Sequence, residues 1–86
     1  MRILLVGAGG VGDAIAKIAA GRSFFEQMVV SDYDITRAER TIAWIEAKHG
    51  AQQGRFVAER IDASNPDNVT AIAQMHDITH VMNAVE

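Results

Sequence analysis

The sequence contains no cysteine, which excludes disulfides, zinc–thiolate sites and thiol nucleophiles together. It has one proline, Pro66, and no Pro-, Gly- or Ser-rich tract, internal repeat or low-complexity segment, so nothing marks a linker between domains. It has no basic excess either. Eight Lys and Arg stand against eleven Asp and Glu, for a formal net charge of -3, and no two basic residues are adjacent. A nucleic-acid binder is expected to carry a basic patch or stripe, so no nucleic-acid partner is expected. Long hydrophobic runs are missing as well. Met1-Arg2 followed by Ile3-Leu4-Leu5-Val6 has the look of a signal-peptide opening, but Gly7, Gly9, Gly10 and Gly12, then Asp13 and Lys17, interrupt it early. Nothing approaches the ~20 apolar residues that span a bilayer. A cytoplasmic chain without a membrane partner is expected.

What is present is an ordinary globular composition, 49% hydrophobic and 22% charged. At 86 residues the chain is read as one domain, 1–86, near the lower size limit for independent folding. Short apolar runs alternate with segments of helical period, the signature of βαβ units around a parallel sheet. Ile3 to Val6 is an apolar run ending at glycine, expected of a strand buried on both faces. From Val11 to about Ala20, the residues Val11, Ala14, Ile15, Ile18 and Ala19 recur at helical spacing, with Gly21 as the stop. Met28 to Ser31 is read as a second strand.

A second helix is expected from Ile35 to Lys48, with Asp34 as N-cap, Ile35, Ala38, Ile42 and Ile45 on one face, and Gly50 just past the end. Arg55 to Ile61 is a third strand. Asn65-Pro66-Asp67 reads as N-cap, first helical position and first-turn acid of a third helix reaching about Met75. Ile78 to Met82 is a fourth strand. Right-handed crossovers turn this β-α-β-α-β-α-β order into an α/β parallel sheet of Rossmann type, strand order 3-2-1-4. That is the first half of such a fold plus the strand beyond its switch point, so a truncated N-terminal part of a larger protein is expected.

Gly7-Ala8-Gly9-Gly10-Val11-Gly12 carries the chemistry. A G-x-G-x-x-G pattern alone is weak, but this one follows an expected strand and opens an expected helix within one βαβ unit. Gly7 permits the tight turn out of the strand, Gly9 lets the backbone approach a pyrophosphate, and Gly12 lets the helix pack close to the sheet. The unpaired N–H groups of the first helical turn and the helix dipole attract the diphosphate. No lysine follows the last glycine, so the loop is not a P-loop. Asp13, one residue on, adds a carboxylate that repels a diphosphate if it faces the ligand.

Asp32 ends the second strand, 20 residues after Gly12. A carboxylate there accepts hydrogen bonds from the adenosine ribose and repels a 2′-phosphate. Tyr33 and Asp34 supply no arginine beside it, although Arg37, one turn into the next helix, is within reach of a phosphate. NAD is therefore favoured over NADP. Asp62-Ala63, after the third strand, is placed where the adenine edge passes. Asn83-Ala84, after the fourth, is placed beside the nicotinamide half. His49, His76 and His80 have no metal-ligand spacing, and His49 is read as a last-turn helix residue. Trp44 is assigned to packing. Ser23, Ser31 and Ser64 have no paired base. No catalytic residue and no metal ligand are assigned.

These residues together resemble a known family. The glycine loop, Val30-Ser31-Asp32-Tyr33-Asp34 leading into Arg37-Ala38-Glu39-Arg40, then Asp62-Ala63-Ser64-Asn65-Pro66 and Val81-Met82-Asn83-Ala84-Val85 are similar to the N-terminal nucleotide-binding domain of the saccharopine dehydrogenase family. The resemblance spans essentially the whole chain. It implies the cofactor domain of an NAD(P)-dependent oxidoreductase acting on an amino-acid or polyamine-like substrate. It also implies a larger C-terminal substrate domain. Where the family commonly has an arginine after the strand-2 aspartate, this chain has Tyr33, which argues against NADP.

Two other classes share parts of the pattern. A stand-alone NAD-sensing module like those of potassium-transport systems has a glycine loop, a strand-2 aspartate and an acid after strand 3. A methyltransferase has a glycine loop and an acid after strand 2, but the full dinucleotide spacing disfavours it. One helix facing two across the sheet, and an unpaired fourth strand, predict an exposed apolar patch. Either the missing substrate domain or a second copy is expected to cover it.

Overall fold

The computed structural model describes residues 1–86. Strands β1 (Arg2–Val6), β2 (Gln27–Asp32), β3 (Phe56–Arg60) and β4 (His80–Asn83) alternate with helices α1 (Gly10–Ala19), α2 (Ile35–His49) and α3 (Pro66–Met75). All pairings are parallel and the strand order is β3-β2-β1-β4, as the alternation predicted. A parallel central strand must be apolar on both sides, and Ile3, Leu4, Leu5, Met28, Val29 and Val30 are all at most 1% exposed. Ser31 is the polar exception within β2. It is fully buried and donates its hydroxyl to the Leu5 carbonyl at 2.7 Å, which removes the cost of burying it.

Register places the site. Val6 is level with Ser31 of β2 and Asn83 of β4, and Asp32 with Arg60 of β3. The loops leaving all four strands therefore open along one edge of the sheet. Those after β1, β3 and β4 are each fastened there by a backbone bond: Gly7 N–H to the Ser31 carbonyl at 2.8 Å, Ile61 N–H to Asp32 at 3.0 Å, and Ala84 N–H to Val6 at 2.7 Å.

The caps fall where expected. Asp34 accepts the Thr36 N–H at 3.0 Å, and Asn65 accepts those of Asp67 and Asn68 with Pro66 in the first turn. Gly50 closes α2 at φ +85°. Strand limits differ from expectation by a residue or two. β4 begins at His80, because Ile78 still bonds back to Ala73 of α3.

One correction concerns α1. Of the residues read at helical spacing, Ile15 packs on the core and Ala19 is buried, but Val11, Ala14 and Ile18 are exposed, Val11 by 52% and Ile18 by 66%; Gly12, Ala16 and Ala19 form the buried stripe, beside Val11, Ile15 and Ile18. Both stripes have the same 4-then-3 spacing, so periodicity cannot separate them. The short distance between α1 and the β1 loop selects the small residues.

The core is lopsided. Thirteen buried residues lie together on the side of α1 and α2 (Ile3, Leu5, Met28 and Val30 among them), against five on the side of α3. β4 has one neighbour and all four of its residues are exposed, Val81 by 55% and Met82 by 38%.

Candidate functional site

The two end glycines of the loop are required by the fold. Gly7 sits at φ +101°, where an L-side chain is strained, and a Cβ on Gly12 would lie 1.7 Å from the Gly7 carbonyl oxygen. Between them, Gly9 is different. It caps α1 at φ -75°, and a Cβ there would meet nothing nearer than 3.8 Å. The protein has room for a side chain at Gly9 and carries none.

A cleft of about 410 Å³ opens over this loop at the carboxyl ends of the strands. It gathers Gly7, Gly9, Gly10, Asp32, Tyr33, Asp62, Ala63 and Ala84 from the residues read out of the sequence. Four others are not on its wall. Ala8 is buried behind the loop; its N–H donates to Asp32 Oδ2 at 2.8 Å. The Val11 side chain turns outward, although its N–H donates to Glu86 on the wall, and Gly12 is packed against Gly7. Asn83 accepts the Val85 N–H at 3.1 Å and shapes the turn after β4.

Asp32 joins the two halves of the motif. Its Oδ2 holds the glycine loop through Ala8 and its Oδ1 accepts the Asp34 N–H at 2.9 Å. An ionised carboxylate offers about four acceptor positions, so acceptor capacity remains towards the cleft. Tyr33 beside it is 65% exposed, with the Arg60 guanidinium stacked 4.4 Å from the ring centre. Asp62 Oδ1 accepts both the hydroxyl and the N–H of Ser64, at 2.6 and 3.0 Å. Those bonds, the hydroxyl's first, hold its carboxyl below the ordinary carboxylate value, so the acid is ionised at neutral pH.

Asp13 is not on the wall of this cleft; with Gly9, Gly10, Lys17 and Thr41 it lines the neighbouring hollow between α1 and α2. Burial opposes its charge, but hydrogen bonds from Lys17 (2.7 Å) and Thr41 (2.6 Å) outweigh that and leave its pKa below 3.8. Held against α2 and paired with Lys17, its charge is compensated beside the loop. Trp44 lies 41% exposed between Lys17 and Lys48, at 4.6 and 5.1 Å from their ammonium groups. It is a surface stack rather than core.

Two charged wall residues lie outside the site residues read from the sequence. Arg37 was noted only for its reach towards a ribose phosphate, yet its guanidinium borders Gly9. Glu86 lines the cleft and accepts the Val11 N–H at 2.7 Å. Nothing in spacing marks it, because it meets the loop only through the β1–β4 pairing.

A parallel sheet with a glycine loop beside its switch point and a strand-2 acid bonded to that loop defines a dinucleotide-binding domain of dehydrogenase type. The family model described as the saccharopine dehydrogenase NADP binding domain matches residues 3–85. The chain belongs to this family and is an NAD(P)-binding domain. Among solved structures it is similar to quinate dehydrogenase from Corynebacterium glutamicum in complex with NAD, at 25% identity and a TM-score of 0.71. It is also similar to sorbitol-6-phosphate 2-dehydrogenase from Erwinia amylovora (20%, 0.78) and to menthone neomenthol reductase from Mentha piperita (19%, 0.72); these two likenesses carry the fold alone. Each match covers 98% of this chain but only 26%, 34% and 31% of those proteins, in the same order. No helix is long and apolar enough to cross a membrane.

Proposed function

We propose that the cleft over the glycine loop holds the dinucleotide of an oxidoreductase acting on an amino-acid or polyamine-like substrate, with NAD preferred to NADP. The observation that carries this reading is the Asp32 carboxylate, bonded to the loop through Ala8 at 2.8 Å and open to the cleft. It sets the ribose acceptor at a fixed distance from the diphosphate seat. In this reading Gly9 and Gly10 face the diphosphate, Asp32 and Tyr33 the adenosine ribose, Asp62 and Ala63 the adenine, and Ala84 the nicotinamide half.

Hydride chemistry is the cofactor's own, and the residues described here bind and orient it. Substrate and acid–base groups belong to a further domain, as the share of the dehydrogenase neighbours that the chain spans suggests. The exposed face of β4 is the surface that such a domain, or a second copy, covers.

The test is a calorimetric titration of NADH and NADPH into the wild-type chain and into Asp32→Asn. Wild type is expected to favour NADH. The uncharged variant is expected to lose roughly tenfold of that ratio, the loss of charged hydrogen bonds to the ribose together with relief of repulsion against the 2′-phosphate. A wild type that prefers NADPH contradicts the assignment of Asp32.

A further inference from the structure

The N-terminus of α1 already holds an anion. Glu86 Oε1 accepts the Val11 N–H at 2.7 Å, and it lies 3.2 Å and 3.8 Å from the points where Cβ atoms on Gly10 and Gly9 would stand. Arg37 Nη1 reaches to 3.8 Å from that same point on Gly9. None of the molecule's ion pairs uses Arg37, whose charge is felt by Asp34 without direct contact, so no carboxylate is paired with its guanidinium beside the loop. A first-turn N–H at the positive end of a helix dipole, with a guanidinium alongside, is a seat for one anionic oxygen. Residues on three separate elements build it: the loop, α2 and the turn after β4.

We propose that Glu86 is an internal surrogate for a phosphate, and that a dinucleotide binds by displacing it and taking over Val11 N–H and Arg37. The proposal rests on the dinucleotide reading above and adds to it two residues and an exchange step. The carboxylate and the diphosphate carry the same sign and compete for the same N–H, so they do not share the seat. Binding is then a swap of one anion for another, and the Glu86 contact subtracts from the affinity. The residue is exposed, so solvent and salt screen the contact and its effect is modest.

The experiment titrates NADH, and separately inorganic pyrophosphate, into wild type, Glu86→Gln, Glu86→Ala and Arg37→Gln. Both Glu86 variants are expected to bind NADH and pyrophosphate tighter by roughly three- to fivefold, and Arg37→Gln weaker by a similar factor, the range of a charge at a helix terminus. In nitrogen-15 NMR of the free protein, the Val11 amide resonance is expected to move in Glu86→Gln, which registers the contact independently of any ligand. If wild type binds NADH and the Glu86 variants bind it equally or more weakly, the exchange is overturned while the dinucleotide reading stands. If no form binds NADH, both fall.

Discussion

Gly9 and Gly12 stand three positions apart in one loop, and a methyl group has opposite consequences at the two. At Gly12 it meets the Gly7 carbonyl oxygen at 1.7 Å, a backbone atom that cannot step aside. Gly12→Ala is expected to cost more than about 3 kcal/mol, beyond the usual range for overpacking, read as a lowered midpoint in urea unfolding or as failure to fold. At Gly9 the same methyl is in ordinary contact at 3.8 Å, so the fold itself does not demand glycine there, as expected if the diphosphate proposed above lies against it.

The sequence assigned these roles to the glycines from spacing alone, because each follows from position relative to strand and helix. Lys17, which neutralises Asp13, stands one turn on in the same helix, but the sequence did not reveal that Asp13 is also tied to α2, since Thr41 lies on another element. Glu86 was hidden for the same reason: its contact depends on how β4 is seated beside β1. Contacts between distant elements leave no period in the chain.

Helix caps were the elements' most legible feature, because a cap is made by residues adjacent in sequence. Asp34 and Asn65 both accept N–H groups two positions on, and they differ in one useful respect. The Thr36 hydroxyl and then the Thr36 N–H hold the Asp34 carboxyl below its ordinary 3.8. A carboxyl depressed in the folded state contributes stability that is present above its unfolded value and lost as pH falls through the folded one. Asn65 does not titrate. Asn65→Ala is therefore expected to lower stability by about 1 kcal/mol at pH 7 and near pH 3 alike. Asp34→Ala should cost stability at pH 7 and progressively less below the ordinary carboxylate value. Urea unfolding at the two pH values separates them, and an Asp34→Ala deficit that persists unchanged in acid contradicts the cap's charge dependence. The face of α1 was not legible, because two stripes of equal period run side by side and only the approach of the helix to the Gly7 carbonyl chooses between them.

At the scale of the whole molecule, the sheet is well covered beside α1 and α2, thinly covered beside α3, and open at β4. Strand order was deducible because right-handed crossovers leave few alternatives. The same order puts the glycine loop and the turn after β4 on either side of the switch point, and it brings Asp32 and Asp62 to one edge. The account therefore stands or falls on whether that edge binds a dinucleotide through the loop. The most direct measurement is calorimetric titration of NADH into wild type and Gly9→Ala, with urea unfolding of both. The account predicts saturable binding to wild type, a loss of at least about tenfold in Gly9→Ala as its Cβ holds the diphosphate off the backbone, and matching unfolding midpoints. A wild type that binds no dinucleotide, or a folded Gly9→Ala that binds NADH as well as wild type does, would contradict it.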